Sequence, residues 1–265
     1  MKTPIALTIA GSDSSGGAGI EADLKVFSAL GVYGACVVTA LTAQNTKGVS
    51  GIQAVSADFV AAQVDAVFSD LDVGAVKIGM MANAENIAAV AAGLDRHKSR
   101  NVVLDPILAA SSGAELLRAD AIDTLRQLAG KARVFTPNLF EAAALLEVPM
   151  AHDESEMQAQ AQKLLALGAG AVLIKGGHGG GTESVDLLVE SDGCARFAAP
   201  RVATKNTHGT GCTLASAIAA GLAKELPLNE AVREAKAYVT GAIAAADRLA
   251  IGSGRGPLHH FFRWW

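Results

Sequence analysis

The densest chemistry in the chain lies in Lys205-Asn206-Thr207-His208-Gly209-Thr210-Gly211-Cys212-Thr213. Two glycines alternate with small polar residues, and an Ala/Leu-rich run follows at once. That is the composition of a loop opening onto a helix N-terminus, where free N–H groups and the helix dipole bind anions. Glycine lets the backbone approach the anion closely. Cys212 falls in the first turn, where the same field favours a thiolate. One segment can thus hold a phosphate and carry a base beside it. A glycine-bearing helix start with a packed Cys is written with the same letters, so the rest of the chain has to decide.

Further candidates stand just after short apolar runs. Ile5 to Ala10 ends in the loop 11–19, which holds Gly11, Asp13 and Ala18. It lacks the Gly-Lys-Ser/Thr ending of a P-loop and the three-glycine dinucleotide spacing, but its glycines can bring backbone against a small substrate. Asp23, one turn into the helix Ile20 to Leu30, either accepts hydrogen bonds from that substrate or is a solvated first-turn acid. Gln44, in the polar stretch 42–46, offers an acceptor and donors suited to a heteroaromatic ring, as any loop amide would. Met80 and Ile107 are apolar residues just past strand ends, placed to line a pocket or to join the core. Val102 to Leu104 stops at Asp105, an acid at a strand's carboxyl end, where open α/β sheets keep their sites. After Ala132 to Phe135, Asn138 and Glu141 fit a capping box; Glu141 is also a hard oxygen ligand suited to Mg²⁺. Ala171 to Ile174 runs into Lys175, placed to reach a phosphate, and into a glycine-rich flap at 176–181.

The elements needed to position these residues follow from periodicity. Strands are expected at Gly34 to Leu41 and Ala75 to Ile78, with an edge strand or small lid at Gly48 to Val55. Helices are expected at Asp58 to Phe68, Ala84 to Leu94, Ala114 to Leu128, Glu154 to Leu167, Thr213 to Lys224 and Asn229 to Leu249. Val185 to Val189 and Cys194 to Phe197 make a hairpin. Strands alternate with helices throughout, which predicts a mostly parallel sheet with helices on both faces. Every candidate stretch follows a strand or hairpin, so all of them meet at the carboxyl ends of the strands.

Composition bounds the alternatives. The 265 residues, 51% apolar and 18% charged, suit a globular chain with ample core, taken as one domain over 1–265. A net charge of −4 gives no bulk attraction for nucleic acid or an acidic membrane. The three cysteines lack paired spacing, which argues against disulfides or zinc. With neither a signal peptide nor a membrane span legible, a soluble, cytoplasmic protein is expected.

Taken together, KNTHGTGCT, TIAGSDSSGGAGIEADLK, TALTAQNT, VKIGMM, TPNLFEA, IKGGH and the tail GPLHHF resemble the hydroxymethylpyrimidine/phosphomethylpyrimidine kinases of thiamine biosynthesis, in the same order and from about residue 5 to the C-terminus. The resemblance implies a ribokinase-like three-layer α/β/α fold, ATP and Mg²⁺ as cofactors, a homodimer, and two successive phosphorylations of 4-amino-5-hydroxymethyl-2-methylpyrimidine. By carry-over, Gln44 and Asp23 address the pyrimidine's polar edge, and Gly11, Ala18, Met80 and Ile107 surround its ring. Asn138 and Glu141 lie near Mg²⁺ and phosphate, with Asp105 acting through metal-bound water. Lys175 and Thr207 meet the nucleotide. Gly209, Thr210 and Gly211 present N–H groups to the transferring phosphoryl, and Cys212 is the base. Pyridoxal is the alternative substrate, because its ring and hydroxymethyl group are similar. Outside kinases, His208 and Cys212, four apart, leave a thiol hydrolase or transferase open, and a non-catalytic binding protein is a third class.

Overall fold

The computed structural model describes residues 2–109, 116–177 and 181–265. In chain order the elements are β1 (Ile5–Ala10), α1 (Gly19–Ala29), β2 (Tyr33–Val38), β3 (Ala40–Asn45), β4 (Gly48–Ala54), α2 (Ala57–Asp70), β5 (Ala75–Ile78), α3 (Ala84–Arg96), β6 (Val102–Leu104), α4 (Ile122–Ala129), β7 (Val134–Phe135), α5 (Leu139–Leu146), α6 (Glu154–Leu165), β8 (Val172–Lys175), β9 (Glu183–Glu190), β10 (Gly193–Pro200), α7 (Thr210–Ala223) and α8 (Leu228–Ala244). The large sheet runs β10-β9-β8-β7-β6-β5-β1-β2, and β3 pairs with β4 in a separate two-stranded sheet. Strands β2, β1, β5, β6, β7 and β8 are parallel; β9 and β10 continue the sheet antiparallel.

Alternate residues along each strand enter opposite layers. Leu7, Ile9, Ile78 and Leu104 pack with α2 to α6. Ala6, Ala75, Val103 and Leu173 pack with α1, α7 and α8. Both faces are covered, which is why the parallel strands read as almost unbroken apolar runs. Helix α7 is buried along nearly its whole length, and its Ala/Gly content is what lets it lie so close: a Cβ on Gly221 would stand 2.8 Å from Ala231 of α8. Each fully buried Leu or Ile contributes about 1.5–3 kcal/mol relative to exposure. Their packing therefore holds the strand ends, and the site on them, in place.

Three boundaries differ from expectation. The run Gly34 to Leu41 is two strands: β2 ends at Val38, and buried Thr39, whose Oγ1 donates to Met80 O at 2.6 Å, turns the chain into β3. The polar stretch 42–46 is therefore mostly strand, with Leu41 and Ala43 exposed, Thr42 buried and Gln44 partly so. The expected helix Ala114 to Leu128 starts later: Leu117 bridges to Ala82, a short 3₁₀ turn covers Ala119–Ala121, and α4 begins at Ile122. Residues 110–115 lie outside the described residues, as do 178–180 in the middle of the expected flap. Finally, α8 stops at Ala244 and a 3₁₀ turn over Ala246–Arg248 carries the chain on, so the helix to Leu249 is shorter than expected. The other elements fall within a few residues of their predicted spans.

Candidate active site

Every predicted site residue except Asp23 lines one cleft of about 690 Å³ across the carboxyl ends of the strands. Its floor is a charged cluster. Lys175, the last residue of β8, donates to Asp105 Oδ1 at 2.6 Å and stands 4.0 Å from Glu141 Oε2. Thr136 Oγ1 donates to the same Asp105 oxygen at 3.0 Å. The capping box forms as predicted: Asn138 Oδ1 accepts from Glu141 N, and Glu141 Oε2 from Asn138 N, both at 2.8 Å. Glu141 is thus at once a helix cap and a cleft acid. Burial pushes its carboxyl up to about 7; Lys175 pulls the other way and Asp105 adds to the rise. Over this cluster sits the start of α7. A Cβ on Gly211 would lie 3.4 Å from Lys175 Nζ and 3.5 Å from Asp105 Oδ2. A helix N-terminus, an ammonium and two carboxylates converge on one spot.

The two glycine-rich loops hold each other. His208 Nε2 meets Asp13 Oδ2 at 2.7 Å, and that oxygen also accepts from the N–H groups of Gly17 and Ala18. Burial alone would raise the Asp13 carboxyl, but hydrogen bonds from His208 and Ser15 outweigh it and hold it at about 2. Gly209 has φ +83°, and a Cβ there would collide with Gly17 O, so the contact between the loops requires glycine. No hydrogen bond joins His208 to Cys212 among the described residues, so the Cys–His pair of a thiol hydrolase is not assembled. Thr207 and Thr210 are joined, Thr210 Oγ1 donating to Thr207 O at 2.8 Å.

At the β1–β5 end the cleft is lined by Gly11, Ala18, Met80 and Ile107, together with Gln44. Thr42 and Gln44 share one face of β3, where Thr42 Oγ1 donates to Gln44 Oε1 at 3.2 Å, and the pairing with β4 shifts register between Ala43 and Gln44. Ser14 Oγ fastens the same residue, accepting from Gln44 N at 2.9 Å and donating to its carbonyl at 2.8 Å. Gln44 Nε2 stands 3.3 Å from His208 Nε2.

Asp23 is corrected. It is fully buried under α1 and accepts from Thr8 Oγ1, Lys77 Nζ and Ser216 Oγ at 2.6, 2.8 and 2.6 Å. Neither a substrate contact nor a solvated acid, it is the partner of a lysine in the sheet. The loop's own acid, Asp13, reaches the cleft instead.

Cys212 is also corrected in its ionisation. The helix start is present, and the Gly19 N–H points at the sulfur, but burial dominates: the thiol is pushed up to about 11, with Lys77 pulling it down and Asp23 and Asp105 pushing it further up. Without ligand it is a thiol.

The far end of the cleft has no clear signal in the sequence. It is lined by Val202 after β10 and by Val239, Thr240 and Ile243 of α8, beside the buried pair Lys236–Asp186 at 2.7 Å. Val239 and Ile243 recur at helical spacing like any core stripe. The adjacent tail histidines are no metal pair: His260 is buried against Thr213, its ring pushed down to about 4 by burial, and His259 packs on Trp265. The tail instead joins the β3–β4 turn to the loop before α7, since Arg255 N donates to Thr46 O and His208 N to Gly256 O.

A cleft of this build on a three-layer α/β/α sheet defines a phosphotransferase of ribokinase-like fold. The phosphomethylpyrimidine kinase family model matches residues 13–259. The hydroxymethylpyrimidine/phosphomethylpyrimidine kinase of Rhizobium meliloti (strain 1021) is 61% identical over 264 residues, covering 99% of each chain. A solved phosphomethylpyrimidine kinase of Clostridium difficile 630 is 41% identical with a TM-score of 0.81, covering 91% of this chain and 100% of its own. The pyridoxal kinase of Bacillus subtilis, solved as an ADP complex, is 34% identical with a TM-score of 0.89, covering 98% of each. The chain belongs to the phosphomethylpyrimidine kinase family.

Proposed function

We propose that this protein uses ATP to phosphorylate 4-amino-5-hydroxymethyl-2-methylpyrimidine to its monophosphate and then to the pyrophosphate. The observation that carries this reading is the convergence of Lys175, Asp105, Glu141 and the α7 N-terminus in one cleft with Gly11, Ala18, Met80, Ile107 and Gln44. The pyrimidine lies between Gly11, Ala18, Met80 and Ile107, with Gln44 addressing its polar edge. ATP occupies the long remainder of the cleft. Its phosphates meet Lys175, Thr207 and the N–H groups of Gly209, Thr210 and Gly211, and Asn138 holds the acid that faces them.

Two carboxylates, one already engaged by Lys175, suit an ion that keeps most of its waters and takes one or two protein oxygens plus phosphates. Mg²⁺ would be held by Glu141 and, through water, by Asp105, where it would supply charge neutralisation for the nucleotide phosphates. The high position of Glu141 accords with an acid awaiting a cation.

In the first step the substrate's O–H bond breaks as its oxygen bonds to the γ-phosphorus, the proton passes to Cys212 sulfur, and the P–O bond to ADP breaks. This requires the thiolate. Since the free thiol sits at about 11, the first phosphorylation rises with pH through the neutral and alkaline range. A phosphate monoester has a second pKa of about 6 and needs no base. Cys212→Ser is therefore expected to slow the first step by about 10²–10⁴ and flatten its pH profile, and to slow the second far less. Equal losses in both steps would remove Cys212 from the base role. Orientation and electrostatics carry the remainder of the rate.

The test of the whole reading is ATP consumption with Mg²⁺, with products resolved by mass. Both the alcohol and its monophosphate are expected to yield pyrophosphate. Turnover of pyridoxal alone would overturn the substrate assignment and keep the kinase. We further infer a cytoplasmic, single-domain homodimer, with exposed Leu41 and Ile52 on the lid hairpin and Trp264 and Trp265 on the tail available to a second copy. Sedimentation at one chain mass, 26.9 kDa, would exclude it. No helix is long and apolar enough to cross a membrane among the described residues.

A further inference from the structure

The sheet face under α1 and α7 carries an ion pair. Lys77 of β5 and Asp23 of α1 have no exposed side-chain surface and pair at 2.8 Å. Both oxygens of the carboxylate are engaged, Oδ2 by Lys77 and Thr8 and Oδ1 by Ser216. The ammonium is not: Asp23 is its one hydrogen-bond acceptor among the described residues, and an ammonium has three N–H groups. A buried pair is no packing requirement, since apolar residues of similar volume often serve as well or better.

The helices fix what lies next to it. Gly19 and Asp23 are one turn apart on α1, as are Cys212 and Ser216 on α7. Ser216 meets Asp23 on the lower rung, and the Gly19 N–H meets Cys212 sulfur on the upper one. Lys77 Nζ stands at the lower rung behind the cleft wall: a Cβ on Gly79 would lie 2.8 Å from it and 3.5 Å from Ile107 Cδ1, which faces the cleft.

We propose that Lys77 is a positioning residue for phosphoryl transfer: its ammonium, locked by Asp23, is the fixed countercharge for Cys212 when the sulfur gives up its proton. This rests on the base role of Cys212 argued above. The charges facing Cys212 are Lys77 from β5, Asp23 from α1, Asp105 after β6 and Lys175 from β8. Among the causes acting on the thiol, Lys77 is the largest pulling it down.

The test is alkylation of Cys212 by iodoacetamide, resolved from Cys36 and Cys194 by peptide mass, in wild type, Lys77→Met and the charge-free Lys77→Met/Asp23→Asn. Each unit of upward shift cuts the thiolate about tenfold, and the stronger nucleophile returns part of that. Cys212 is therefore expected to react about threefold or more slowly in Lys77→Met from about pH 7 to about pH 9, and to regain part of that rate in the double variant, which also removes the charge that pushes the thiol up, with exposed Cys194 unchanged. An unchanged Cys212 rate in folded Lys77→Met overturns the proposal. A second comparison leaves Lys77 in place: Cys212→Asp should melt no lower than Cys212→Asn near neutral pH, because the new carboxylate finds the waiting ammonium. A markedly lower Tm for Cys212→Asp overturns the proposal even where the Lys77 variants fail to fold. Equal losses of both phosphorylations in Cys212→Ser would remove the base reading alone and leave these two readouts standing.

Discussion

Lys175 and Lys77 are both buried lysines on parallel strands of one sheet, each within 2.8 Å of an aspartate. They differ in what surrounds them. Lys175 ends its strand, so its ammonium emerges into the cleft, with Asp105 on one side and Glu141 on the other. Lys77 lies inside its strand, so its ammonium points into the layer under α1 and α7 and meets one carboxylate that three donors already satisfy. A four-residue displacement through the register of the sheet thus separates a charge that can exchange partners with an incoming phosphate from one that cannot. The cleft cluster is electrostatically frustrated without ligand, whereas the internal pair is balanced charge for charge, with N–H groups of the ammonium to spare.

The largest effects should come from unmatching the internal pair. Asp23→Leu leaves a fully buried ammonium with no counterion, which typically costs about 3–5 kcal/mol. Denaturant unfolding measures it, and a loss under about 1 kcal/mol would show that the pair relaxes to solvent. Lys175→Met should act mainly on the chemistry. It too removes one partner of a buried pair, but Asp105 and Glu141 open onto the cleft, so the loss of stability should be smaller than for Asp23→Leu, while kcat for both phosphorylations falls by about 10²–10³, the usual effect of removing one preorganised charge from a transition state. If Lys175→Met instead lowers stability as much as Asp23→Leu and leaves kcat of the folded protein intact, the contrast between the two lysines collapses.

These two lysines also show what the sequence made legible. Lys175 stands out because a strand ends at it and glycines follow, and Asp105, Glu141 and the loop 205–213 are marked in the same way. A sheet covered on both faces writes its strands as apolar runs, so their ends are visible. Lys77 is invisible by the same logic: inside Ala75–Ile78 it reads as one polar residue in a short strand, and its partner lies 54 positions away. Asp23 reads as a substrate contact or a solvated acid because first-turn acids are ordinary on exposed helices, and burial is a property of the assembled layers. The thiol of Cys212 reads as a thiolate for the same reason, since the helix terminus that favours it is legible and the burial that opposes it is not. The stretch 42–45 of β3 reads as polar loop because Ala and Asn are depleted in strands and its side chains are mostly polar, and only its pairing with β4 makes it a strand. The Asp13–His208 contact joins two loops that each looked glycine-rich on their own account; their separation in sequence left nothing to link them.

The smallest effect is the one that bears most directly on frustration in the cleft. Glu141 has its folded pKa raised from 4.5 to about 7. The native state therefore holds a proton that the unfolded chain has already released, and stability falls as pH rises from about 4.5 through about 7. Glu141→Gln removes that slope while keeping a side chain that can accept from Asn138 N, since Gln serves in a capping box. Near pH 8 the ligand-free variant should be more stable than wild type by about 1–3 kcal/mol, a rise of a few degrees in Tm, yet less active with Mg²⁺ and ATP. At a pH near 4 the two should melt together. If Glu141→Gln is less stable than wild type at both pH values, the carboxylate is acting as a structural cap, and the cleft cluster is as well matched as the pair around Lys77. If it is more stable only where Glu141 would be ionised, the site carries a charge that ligand-free packing disfavours and that the cation and nucleotide are there to meet.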